Sequence, residues 1–151
     1  MKRFLSAALA LILIFLTSCG SEPNARLMLT ELLALCSAEG VIYSPSIPEG
    51  ERGSLSEDTF KKIYVYSGDM PKNCAIFLNS HVSTTSECGA FVCQSDAELL
   101  ALTEACLERI RLLSGEGKGI VITSRRILFY STMSEPSLVE ALWKRVLRSR
   151  G

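Results

Sequence analysis

Residues 74–113 read CAIFLNSHVSTTSECGAFVCQSDAELLALTEACLERIRLL, and the fold turns on how this stretch is parsed. Cys74-Ala75-Ile76-Phe77-Leu78 is a short apolar run that continues toward Val82, and residues 87–93 form a second. Between them Ser83-Thr84-Thr85-Ser86 is polar and turn-compatible, so the two runs predict a hairpin. The connection lacks the Asn-Gly pair that marks the tightest turns. Residues 96–113 then place Leu99, Leu102, Cys106, Ile110 and Leu113 at three- and four-residue steps, which predicts a helix with one apolar stripe. Ser95 stands where a cap is needed, and Asp96 and Glu98 complement the helix dipole in its first turn. Glu104 and Glu108 are like charges at the i,i+4 spacing, so the wet face is not tuned for helix stability.

The same order recurs downstream. Ser114-Gly115-Glu116-Gly117-Lys118-Gly119 ends the helix. It is not a phosphate-binding loop, because no Ser or Thr follows the lysine and Ile120-Val121 continues as strand. Residues 120–123 and 127–130 predict a second strand pair around Ser124-Arg125-Arg126. Ser134-Glu135-Pro136 opens the last helix, with Pro136 in its first turn and Leu138, Val139, Leu142, Trp143 and Val146 as the expected buried stripe. Strand, strand, helix, twice over, predicts an α+β fold: a four-stranded, mainly antiparallel sheet with both helices on one face.

Upstream, Pro23 and Asn24 open a helix whose apolar residues, from Leu27 to Leu35, fall on nearly every face, and Gly40 stops it. Burial against the domain is the expectation for such a helix. Val41-Ile42-Tyr43 is a short extended piece, and residues 44–56 form a loop punctuated by Pro45, Pro48, Gly50 and Gly53. Ser56 can cap a short helix that ends before Tyr64 or Tyr66; Thr59 holds the position where a capping box carries an acid.

The first nineteen residues carry a different message. Met1-Lys2-Arg3 is basic, and residues 4–16 are apolar but for Ser6. Thirteen residues make about 20 Å of helix, short of a ~30 Å hydrocarbon layer, which suits a signal-peptide core better than a permanent span. Leu16-Thr17-Ser18-Cys19 resembles the bacterial lipoprotein signal, a Leu-x-x-Cys box with small residues before the cysteine. The resemblance implies cleavage ahead of Cys19, a diacylglycerol on its thiol, and a mature protein on the extracytoplasmic side of the cell membrane. An ordinary secretory peptide and an uncleaved anchor are the alternatives. Gly20, rather than Asp, offers no inner-membrane retention signal. The expected division is then a signal peptide at 1–18, a lipidated tether at 19–22, an N-terminal helix and loop at 23–56, and an α+β domain at 57–151.

From Leu55 onward the layout is similar to a family of small lipoprotein domains of unknown function from Gram-positive bacteria. The features that carry the likeness are Glu87-Cys88-Gly89-Ala90-Phe91-Val92, entering a helix that ends Arg109-Ile110-Arg111-Leu112-Leu113, with another hairpin and helix behind it. What the likeness implies is a fold and a location, not an activity.

Composition narrows the function classes. Removing residues 1–18 takes away Lys2 and Arg3, leaving 14 basic and 16 acidic residues and a net charge of −2. No global field favours nucleic acid. Past residue 117 the balance tips: Lys118, Arg125, Arg126, Lys144, Arg145, Arg148 and Arg150 face only Glu135 and Glu140. Two readings stand, a solvated helix end that complements its dipole and a weak contact with anionic lipid or wall polymer. Five cysteines remain beyond Cys19, an odd number without C-x-x-C spacing, and His81 is the only histidine, so no metal site or cofactor is expected. A hairpin turning near Ser83-Thr84 would set Cys74 opposite Cys93, a candidate bridge. No catalytic residues are expected either: His81 lies beside ordinary serines, the carboxylates show no paired spacing, and Glu87 reads as a strand-edge charge. Cys19, as the lipidation site, is the one functional residue the sequence assigns. The expected function is a membrane-anchored extracytoplasmic lipoprotein that binds or assembles with an envelope protein or wall component, held to the membrane through the lipid on Cys19. A small hydrolase-like envelope enzyme and an accessory solute-binding lipoprotein are the alternatives.

Overall fold

A computed structural model describes residues 22–79, 86–114 and 118–150, and the architecture over them is α+β. The elements in chain order are α1 (Ala25–Cys36), β1 (Gly40–Tyr43), α2 (Glu57–Ile63), β2 (Cys74–Asn79), β3 (Glu87–Val92), α3 (Asp96–Ser114), β4 (Ile120–Ser124), β5 (Ile127–Ser131) and α4 (Pro136–Ser149). The strands form one antiparallel sheet in the order β1-β2-β3-β5-β4. It has five strands rather than four, because the short piece at Val41-Ile42-Tyr43 pairs along β2, with Ile42 opposite Phe77. Residues on either side of position 56 thus share one sheet.

The helices do not lie on one face. On one side α1 and α4 bury Met28, Leu29, Leu32, Val139, Trp143 and Val146 against Ala75, Phe77, Cys88, Ala90 and Phe129. On the other, α2 and α3 bury Phe60, Tyr64, Leu102, Cys106 and Ile110 against Ile76, Phe91, Leu128 and Tyr130. The reason lies in the strands. β2, β3 and β5 are apolar at successive positions, and a pleated strand sends those side chains to opposite faces, so both faces need covering. A stripe on a helix shows that one side is buried but not which side of the sheet it meets.

Local signals set most boundaries. Asn24 caps α1 by accepting from the Leu27 N–H at 2.9 Å. Asn73 pins the same helix start: its Oδ1 accepts from the Ala25 N–H at 2.8 Å and its Nδ2 donates to the Pro23 carbonyl at 2.7 Å. Ser56 caps α2, its Oγ accepting from the Thr59 N–H, and its hydroxyl also donates to Thr59 Oγ1. At α3 Ser95 caps, its Oγ accepting from the Glu98 N–H, and the Glu98 carboxylate accepts from the N–H of Gln94, one residue ahead of the cap. The loop at 44–56 is closed on itself: Ser44 N–H donates to the Gly53 carbonyl, Ser44 Oγ donates to the Cys74 carbonyl, and Ile47 and Leu55 are buried. Leu138, expected in the buried stripe of α4, is half exposed, as is Leu27 of α1.

The β2–β3 register corrects the cysteine pairing. Cys74 lies opposite Phe91, not Cys93, and both cysteines are buried free thiols. The slip of two residues keeps the faces that alternation demands while moving the pair out of line.

Candidate functional site

Two polar constellations stand out among the described residues. The first is buried. Glu87, at the start of β3, is only 4% exposed; it is a charge inside the sheet, not at its edge. Arg109 of α3 donates to both its oxygens, Nε to Oε1 and Nη2 to Oε2, each at 2.8 Å. The Tyr130 hydroxyl donates to Oε1 at 2.7 Å and lies 2.7 Å from the Tyr64 hydroxyl. The start of β3 and the last turns of α3 therefore meet through one bidentate ion pair. Gly89 makes room for this arrangement: a Cβ there would stand 2.5 Å from the ring of Tyr130, its partner across the sheet.

The electrostatics fit a fixed network. The Glu87 hydrogen bond holds the Arg109 guanidinium above its ordinary range, and burial pushes both tyrosine hydroxyls well up. Both phenols stay protonated at neutral pH, and the carboxylate accepts from three donors, the geometry that makes a buried charge tolerable. The buried thiols are held in the same way, Cys93 up to about 11 and Cys74 up to about 12, both by burial. Thiolates, the reactive form of cysteine, are suppressed there.

The second constellation is open. A groove of about 750 Å³ runs between the start of α1, the end of α4, the end of β3 and the β4–β5 turn. Its floor is apolar, made by Met28, Val92, Ile127 and Leu147. Four arginines rim it, Arg125 and Arg126 from the turn and Arg148 and Arg150 from the end of α4. Strand directions explain the meeting. β4 enters the turn and α4 terminates at the end of the sheet where β2 begins and β3 finishes, so cations 22 or more residues apart in sequence share one rim.

The rim is not evenly neutralised. Arg126 donates to the Gln94 carbonyl at 2.8 Å and reaches Asp96 at 3.3 Å, and Arg150 pairs with Glu31 at 3.0 Å. Arg125 and Arg148 have no ion-pair partner among the described residues. Arg125 also adopts a φ of 54°, the left-handed region that Gly or Asn occupies more readily, at a cost of about 1–2 kcal/mol.

Cys19, the residue expected to be lipidated, lies outside the described residues, as do His81 and the residues 83–85 of the expected turn. Among the described residues, no group of His, Cys, Asp or Glu could hold a metal ion, and no helix is long and apolar enough to cross a membrane. The excess of basic residues was legible in the sequence; its gathering at a groove was not, because the turn and the helix end approach only through tertiary packing. Comparison with protein-family models, with curated proteins and with solved structures finds no match for this chain.

Proposed function

We propose that the chain is a membrane-anchored extracytoplasmic lipoprotein, acylated on Cys19, whose folded head is a binding or assembly module of the cell envelope. The arginine-rimmed groove carries the reading. It opens beside Pro23, four residues beyond the lipidated cysteine, so a tethered head carries a cationic, apolar-floored site next to its own anchor. Such a site suits an anionic envelope component, and tethering raises its effective concentration without any added contact. The lipobox resemblance and the short basic leader supply the location; two or more acyl chains, each methylene contributing about 0.8 kcal/mol, make the attachment stable.

The test is metabolic. Bacteria expressing the full chain are fed an alkyne analogue of palmitate, and the chain is recovered and sized by mass. The expected result is a labelled protein beginning at Cys19, with label lost in a Cys19→Ser variant. A chain that keeps residues 1–18 and takes no label overturns the anchoring.

A further inference from the structure

We infer that the groove holds the headgroup of an anionic phospholipid in the bilayer to which the protein is tethered, so that the domain docks on its own membrane in one orientation. This rests on the anchoring proposed above and names the occupant of that same groove.

Reach is the first argument. From Cys19 to Pro23 a fully extended chain spans at most about 14 Å, at ~3.4 Å per residue. Pro23 is itself part of the groove wall, and Asn73 fixes it there from both sides of the helix start. The exit point of the tether and the groove are therefore one rigid place. With an acylated sulfur at the boundary between hydrocarbon and headgroups, the groove cannot leave the headgroup layer by more than that span. A wall polymer farther out competes poorly for a site held so low.

Chemistry is the second. Arg125 and Arg148 offer planar, permanently charged donors suited to a phosphate, and neither is committed to a carboxylate of the described chain. Arg126 and Arg150, held by Asp96 and Glu31, frame the rim. Beneath them Met28, Val92, Ile127 and Leu147 present an apolar floor that a bare inorganic ion would leave uncovered. A phospholipid supplies both halves, its phosphate for the rim and its glycerol and first methylenes for the floor.

The experiment uses the full chain in nanodiscs of phosphatidylcholine alone or with added phosphatidylglycerol, read by hydrogen exchange at the Ser124–Ile127 turn and at the end of α4. Each exposed arginine near an anionic surface contributes about fivefold. Exchange in the anionic discs should therefore slow by about 25-fold for Arg125 and Arg148 together. The Arg125→Ala/Arg148→Ala pair should lose that protection, Arg125→Lys/Arg148→Lys should recover part of it, and Lys118→Ala, at the other end of the sheet, should keep it. Equal exchange in the two kinds of disc, or protection that survives the alanine pair, overturns the inference. Protection by soluble poly(glycerol phosphate) but not by anionic discs also overturns it, in favour of a wall polymer. A protein that takes palmitate but ignores headgroup charge refutes the docking alone; one that senses headgroup charge but takes no palmitate refutes the acyl anchor alone.

Discussion

Raising the pH should unfold this protein through its own buried thiols. Cys74, Cys88, Cys93 and Cys106 are at most 3% exposed and unbridged. Burial holds each above the ordinary thiol value of 9.0, Cys93 at about 11 and Cys74 at about 12, with Cys88 and Cys106 well up. The unfolded chain releases these protons at the ordinary value, so above it the native state binds more protons than the unfolded state. Stability is fully present below pH 9 and is lost as the pH climbs toward the folded values. Each group contributes a slope of about 1.4 kcal/mol per pH unit. Four groups then remove roughly 6 kcal/mol by pH 10, comparable with the ~5–15 kcal/mol that holds an ordinary domain together. Above pH 10 the buried Tyr64 and Tyr130 hydroxyls, also raised by burial, steepen the fall.

The assay is guanidinium unfolding under reductant and without oxygen, followed by the fluorescence of Trp143. This is the only tryptophan, fully buried and stacked on Phe129 at 4.3 Å between ring centroids. Stability should be level from pH 6 to 8 and fall by roughly 6 kcal/mol at pH 10. Replacing Cys106 with Ala should remove about a quarter of the slope. A stability unchanged between pH 8 and 10 would refute the reasoning, since it would mean that these thiols are bridged or wet.

Other perturbations probe the rest of the architecture. Arg109→Met strands the Glu87 carboxylate and should cost about 3–5 kcal/mol. Adding Glu87→Gln should return much of that, and a double-mutant cycle by denaturant titration that proves additive within about 0.5 kcal/mol would contradict the ion pair. Gly89→Ala drives a Cβ into the Tyr130 ring and should destabilise by about 1–3 kcal/mol in thermal unfolding, whereas an unshifted midpoint would mean the ring is free to move aside. Arg125→Asn should stabilise the fold by about 0.5–1 kcal/mol, because Asn accepts the left-handed backbone more readily, while weakening binding to anionic nanodiscs. Loss of stability in that variant would show that the arginine side chain contributes to folding.

The hairpins, the long helix at Asp96–Ser114 and the caps at Ser56 and Ser95 follow from local rules, and the linear chain announces them. Apolar periodicity, capping hydroxyls and turn residues act over a few positions, and neighbours in sequence supply all the information they need. Two matters required the tertiary structure. Whether Val41-Ile42-Tyr43 becomes a fifth strand depends on a free edge of β2, a property of the assembled sheet. The face each helix covers depends on where the chain crosses the sheet, and only the packed strands show that both faces are apolar.

The sites divide along the same line. Cys19, the proposed lipidation site, is read from the sequence alone, because a processing signal of that kind is a linear string. Glu87 and Arg109 sit 22 residues apart, and Arg125 and Arg148 are joined by no periodicity. Charge interactions act through space, so only the fold that brings β3 under α3, and the β4–β5 turn beside the end of α4, decides which charges meet and which, among the described residues, stay without an ion-pair partner.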